Sequence, residues 1–362
     1  MTKSKNISAF QFFVMLFLTR TLTTVTYLSS YTEDIRLSDM LIHPIFRVLF
    51  GTLMMIPVYL LYRKHGEQNL IEIIENRSKV LAKFVSAVFV LYFFYFTVVT
   101  IARLDLFAGT VVFPETDVEY MLVFAIIICC YGAYLGLEAL GRSSVVSAIF
   151  VIPALIFIML TLTDKVDFLN LTPLFYNGVT PVIKVAIDSV GQTVEYGIIA
   201  LMMPRVTGKY RKGYYIWLFS QVFLMAIMFF FACTVMGNFA STQMFPFHTM
   251  ASLAEFSMFT RLDAIFTGVW IMCAFIKAGL LIYLQSELLE RYFGNFRKGQ
   301  YVVAIGVLTI IANLIISQRI EWFKVIDDSK IKVIITGISV LIIPLFTLIL
   351  KGGRNKKCEK QV

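Results

Sequence analysis

Long apolar stretches separated by short polar or charged turns set the pattern of this chain. A helix rises about 1.5 Å per residue, so roughly 20 apolar residues cross the hydrocarbon core of a bilayer. Ten stretches reach that length, near 7–30, 40–62, 80–104, 119–138, 143–163, 182–204, 213–238, 262–286, 300–318 and 331–350. The pattern predicts an all-α integral membrane protein of ten transmembrane helices, with one transmembrane domain spanning 1–362. No loop between the stretches is long enough to fold by itself. The first stretch follows Lys3 and Lys5, lacks a small-residue cleavage site and runs on through Arg20. It is expected to stay as a span rather than be removed as a signal peptide.

Composition agrees. Charged residues make up 15% of the chain, against about 25% in soluble domains. With the N-terminus cytoplasmic, the inner side collects most of the 32 Lys and Arg. Among these are Arg63, Lys64, Arg77, Lys79, Arg142, Arg205, Arg211, Arg297 and the lysines of the tail. Outer loops hold acids instead, including Glu33, Asp34, Asp39, Glu115, Asp117, Asp164 and Asp327. This asymmetry places both termini in the cytoplasm. The net charge of +9 is then a topology signal and a contact with anionic membrane lipid, with no nucleic-acid partner implied. Cys129, Cys130, Cys233 and Cys273 lie within spans and Cys358 in the tail, so no disulfide framework is expected.

Polar groups at membrane depth carry the candidate chemistry. The sixth stretch contains IDSVGQTVEYG, with Asp188 and Glu195 seven residues apart, about two turns of a continuous helix and on one face. An ionised carboxylate near the bilayer centre costs at least ~2.5–3.5 kcal/mol, so both should face the interior or a water-filled cavity. Gly191, Gln192 and Gly197 loosen the helix there or hydrogen-bond its freed backbone, and Tyr196 lies among them. These residues form either a ligand or coupling site or a structural ion-pair cluster.

In the first stretch Arg20 sits among Thr19, Thr21, Thr23, Thr24 and Thr26, whose hydroxyls can support local unwinding. Its guanidinium needs a carboxylate, from Asp188, Glu195 or a ligand. The third stretch adds Tyr92, Tyr95, Thr97 and Thr100 as packing or substrate-facing groups, with Arg103 and Asp105 as interface anchors. In the eighth, Lys277 either snorkels to the inner interface or joins Arg20 in balancing Asp188 and Glu195. Glu138 and Arg142 are spaced for a local ion pair. The ninth and tenth stretches show no ionisable residue deep in the bilayer. The charged loop after the second stretch suits a surface or partner contact, and the aromatic loop before the eighth suits a re-entrant element or lid.

There is no metal-ligand cluster, Gly-rich phosphate loop or Ser-His-acid set at one depth, so neither an enzyme nor a cofactor is expected. Polar breaks in the first and sixth spans suggest two five-helix halves of opposite orientation, as in secondary transporters.

Taken together, ISAFQFFVMLFLTR, LGLEALGRSS, SVGQTVEYG and RLDAIFTGVWIMCAFIKAG resemble, in order and spacing, the B-subunit family of spore germinant receptors. That family belongs to the amino acid–polyamine–organocation superfamily. The resemblance covers essentially the whole chain. It implies a leucine-transporter-like fold, a 5+5 inverted repeat whose broken helices one and six hold a ligand, flanked by three and eight. It implies sensing of a small nutrient such as an amino acid at the inner spore membrane, beside A and C subunits. Sodium can sit between helices one and eight in transporters of this fold; Lys277 would replace it with a fixed charge. The alternative is a proton-coupled amino acid transporter, with Asp188 or Glu195 carrying the proton.

Overall fold

The computed structural model describes residues 7–26, 37–66, 68–112, 118–175, 178–256, 261–294 and 296–349. The expected terminal orientation therefore concerns residues outside the described ones, as do Glu33, Asp34, Glu115 and Asp117 of the outer loops.

The chain is built almost wholly of helices. The first part comprises α1 (Ala9–Thr26), α2 (His43–His65), α3 (Leu70–Glu75), α4 (Lys79–Phe107), α5 (Val118–Leu135) and α6 (Leu137–Thr161). Then come α7 (Thr180–Gly191), α8 (Glu195–Met202), α9 (Tyr210–Phe231), α10 (Pro246–Ser252) and α11 (Asp263–Phe293). The last are α12 (Lys298–Ser317), α13 (Ile320–Ile326), α14 (Ser329–Thr336) and α15 (Ile343–Ile349). Among the described residues, 8 helical stretches are long and apolar enough to cross a membrane: α1, α2, α4, α6, α9, α11, α12 and the run from α13 to α15. Helix also covers the other two predicted ranges, as the shorter α5 and as the pair α7 and α8.

Burial sorts these helices. In their most apolar windows α1, α4 and α11 are 72%, 61% and 67% buried, so they form the centre; α2, α6 and α12, at 33%, form the rim. The rim exposes large apolar side chains such as Leu53, Phe150 and Val303, a surface suited to acyl chains rather than water. At the centre α11 packs on α4, α1, α5 and α6. A two-residue parallel ladder pairs Ile7–Ser8 with Val206–Thr207, tying the start of α1 to the chain just beyond α8.

Three local expectations have separate outcomes. The loop helix α3 is capped by Asn69 and Glu72 and buries Leu70, Ile71, Ile73 and Ile74 within the protein, with Glu72 bonded to Arg291 at 2.6 Å. Its apolar face is thus used internally. The lid-like loop forms α10, whose Phe247, Met250 and Ala251 pack into the core. Glu138 and Arg142 make the expected pair at 2.6 Å on an exposed face.

The first helix corrects an expectation. α1 is continuous from Ala9 to Thr26. The hydroxyls of Thr19, Thr21 and Thr26 donate to the carbonyls of Leu16, Phe17 and Leu22, bonds an unbroken helix accommodates. With no Gly or Pro in TRTLTT, nothing removes a rung of the ladder, and the expected interruption of the first span is absent.

The sixth span is interrupted as expected. α7 stops at Gly191 and α8 starts at Glu195, leaving Gln192–Val194 outside regular helix. The hydroxyl of Thr336 donates to the freed Gly191 carbonyl at 2.7 Å. α14 lies so close that a Cβ on Gly191 would sit 2.6 Å from the backbone of Val333, so only glycine fits. The interruption also breaks the register between Asp188 and Glu195, which no longer share a face.

Candidate functional site

The break is where buried charge converges. Arg20, 1% exposed, reaches across from α1 and donates to the Thr193 hydroxyl at 3.2 Å and the Ser189 hydroxyl at 3.4 Å. Arg47 of α2 donates to the same Thr193 oxygen at 3.4 Å, and its other terminal nitrogen lies 3.7 Å from the Met225 sulfur. Thr193 in turn donates to the Ser189 carbonyl at 3.1 Å. Two guanidinium groups therefore meet at one hydroxyl, inside the protein.

Glu195, wholly buried, opens α8. Lys277 of α11 approaches it to 3.6 Å and donates to the Thr23 hydroxyl at 2.6 Å. Its ammonium turns into the protein instead of running along the helix to an interface. Among the described residues neither carboxylate oxygen of Glu195 has a hydrogen-bond partner, and neither does Nε of Arg20 or Arg47. Groups this deep normally have partners, because an unpaired one costs ~1–3 kcal/mol or more.

A cavity of about 20 Å³ lies beside the cluster, lined by Thr23, Thr26, Phe96, Gln192, Trp270 and Lys277. Room of that size suits about one water. Arg103 and Lys332 complete its polar wall, and both pair with Asp327, at 2.8 and 2.7 Å. Trp270 donates to Thr26 at 2.5 Å and stacks on Phe107.

Of the sequence-predicted residues, the structure thus brings together Arg20, Thr23, Gln192, Glu195 and Lys277, with Gly191 setting the break. Tyr92 packs its ring where a Cβ on Gly197 would fall, 2.5 Å away, so this pair fixes α8 against α4. Tyr196 turns toward α9, edge-on to Trp217 at 6.2 Å, and fills the space beside Gly51 of α2. The remainder stand elsewhere. Thr97 accepts from Gln285 at 2.9 Å and Tyr95 donates to the Ile326 carbonyl at 2.5 Å. Thr19 bonds its own helix, and Thr24 is buried without lining the cavity. Asp188 is half-buried and faces Ser329, apart from Arg20 and Glu195.

The sequence reading passed over Arg47, Ser189, Thr193, Trp270 and Lys332. Arg47 carried a usable signal, an arginine inside an apolar span near its outer end. Lys332, at the start of the tenth predicted stretch, is 1% exposed and lines the cavity. Among the described residues no group of three or more His, Cys, Asp or Glu is placed to hold a metal.

Comparison with known proteins fits this arrangement. A curated relative from Bacillus subtilis (strain 168), named as a candidate spore germination protein, YfkT, is 23% identical over 319 residues. The match covers 84% of this chain and 86% of the relative. A family model described as spore germination protein matches residues 6–321, nearly the whole chain. With its apolar helices and a polar break in the core, the chain belongs to the spore germination protein family, of the membrane permease type.

Proposed function

We propose that this protein is the nutrient-sensing membrane subunit of a spore germination receptor, holding a small molecule such as an amino acid between α1, α4, the α7–α8 break and α11. The observation that carries this is the buried cluster of Arg20, Thr193, Glu195 and Lys277 at an interrupted helix. Broken helices offer free backbone groups and helix ends to a polar ligand. A cavity of only about 20 Å³ means that the walls must part to admit a ligand of that size, and this motion is what would signal.

The proposal includes ten spans in a 5+5 inverted repeat of leucine-transporter type, with α1 unbroken. It includes residence in the inner spore membrane, both termini cytoplasmic, beside A and C subunits. These features rest on the resemblance of the sequence motifs to the B-subunit family of spore germinant receptors. Proton-coupled amino acid uptake would draw on Asp188 and Glu195. Asp188 stands outside the cluster and Glu195 already faces an ammonium, so the geometry does not favour it.

Spores lacking the gene, and any redundant receptor, should lose a nutrient-triggered response while germinating normally by nutrient-independent routes. A normal response to every nutrient tested would reject the proposal.

A further inference from the structure

Buried charge around the break does not balance. Among the described residues Arg20, Arg47 and Lys277 face a single acid there, Glu195. On the cavity's far wall Arg103 and Lys332 both pair with Asp327, at 2.8 and 2.7 Å, and the excess lies on the side of the break. Asp188, which could have offset the excess, faces Ser329 instead. Like charges held together in a low-dielectric interior repel strongly, and the two guanidinium groups on Thr193 are such a pair. Among the described residues both retain a buried Nε without a partner.

We propose that the ligand of this site is a small organic anion with net negative charge, drawn to the excess of buried basic groups around the α7–α8 break. Its carboxylate would meet Lys277 and Gln192 in the widened cavity, with Arg20 and Arg47 as a positive layer behind. A neutral zwitterion is a poorer fit. Its ammonium would have to compete with Lys277, 3.6 Å from Glu195, for the one acid that the described residues place at the break. A zwitterion would also leave the net charge of the site unchanged, whereas an anion lowers it. Arg47 is the group through which this can be separated from folding. It adds repulsion to Arg20, and the Thr193 hydroxyl it touches keeps Arg20 as a donor.

The inference deepens the proposed function and rests on the ligand occupying this break. It is tested with purified full-length protein in lipid nanodiscs, in constant excess sodium chloride, by following Tm. The probes are pyruvate, L-malate and L-glutamate, against L-alanine, L-asparagine and D-glucose at equal concentrations. At least one of the three anions should raise Tm with dose, and the zwitterions and the sugar should not. Arg47→Gln should keep or raise the Tm of the ligand-free protein and weaken the anion response by about tenfold, the loss of one full positive charge close behind the ligand. The inference is overturned if only zwitterions or the sugar shift Tm, or if no anion does. It is equally overturned if added chloride accounts for the whole effect, or if Arg47→Gln lowers the ligand-free Tm as loss of a core group would. Anion binding by a protein whose deletion leaves germination intact would reject nutrient sensing alone; a deletion defect without anion binding would reject this inference alone.

Discussion

Replacing Lys277 by Gln preserves much of the side chain's length and removes its charge. Lys277 is 3% exposed, and its ammonium is the full positive charge nearest Glu195, at 3.6 Å. The variant leaves a buried carboxylate without its partner, which typically costs ~3–5 kcal/mol. The remaining attraction of Arg20 places the expected loss near the lower end, about 3 kcal/mol. Such a loss is a large fraction of typical stability, so the variant should be scarce in the membrane and melt early. Removing both charges, as Lys277→Gln with Glu195→Gln, should recover much of it, with a coupling energy of about 2 kcal/mol. Immunoblots of membranes and Tm of the purified single and double variants measure this. Wild-type abundance and Tm for Lys277→Gln would refute the pairing and favour a lysine reaching an interface. A double variant no more stable than the worse single one would refute the coupling.

Two further outcomes follow from the same geometry. Gly191→Ala would place a methyl group 2.6 Å from the Val333 backbone and push α14 off the break, so a loss of ~1–3 kcal/mol in stability and a fall in abundance are expected; an unchanged Tm would mean the close approach is not needed. Because the Lys277 ammonium already faces Thr23 and Glu195, replacing sodium by choline should leave the nutrient dose-response unchanged, and a requirement for sodium would contradict that role.

The broad architecture was legible because span length and apolar content act residue by residue, without regard to what lies across the bundle. The break in the sixth span was legible for a similar reason: Gly191 and the polar residues after it weaken a helix wherever it sits. The first span misled. Its threonines can support unwinding or bond their own helix, and sequence spacing does not distinguish the two; the structure shows the second. Asp188 misled through the break itself, since the helical spacing that put it beside Glu195 holds only if the helix continues. Thr193 and Arg47 were hidden because their meeting spans 146 positions and depends on how α2 packs against α7, which no local pattern encodes. Lys332 illustrates the converse. A lysine flanked by charges reads as a loop residue, but Asp327, five positions earlier, bonds it and turns it inward.

The interruption also explains which of these charges the fold can tolerate. A helix carries roughly half a negative charge at its carbonyl end and half a positive one at its amide end. Arg20 binds the hydroxyls of Ser189 and Thr193, at the carbonyl end of α7, while Glu195 occupies the first turn of α8, at an amide end. Each therefore meets a helix end of opposite sign, which a continuous helix through this depth would not supply. Lys277 completes the arrangement around Glu195 from α11. Among the described residues Arg47 has a weaker complement. It shares with Arg20 a hydroxyl that carries no net charge, and its second terminal contact is a thioether sulfur, a weak acceptor. The unmet positive charge of the site thus resides chiefly on Arg47, whereas Lys277 and Arg20 are tied into the helix break. Substitutions at Lys277 should be read first through stability, and substitutions at Arg47 first through what the protein binds.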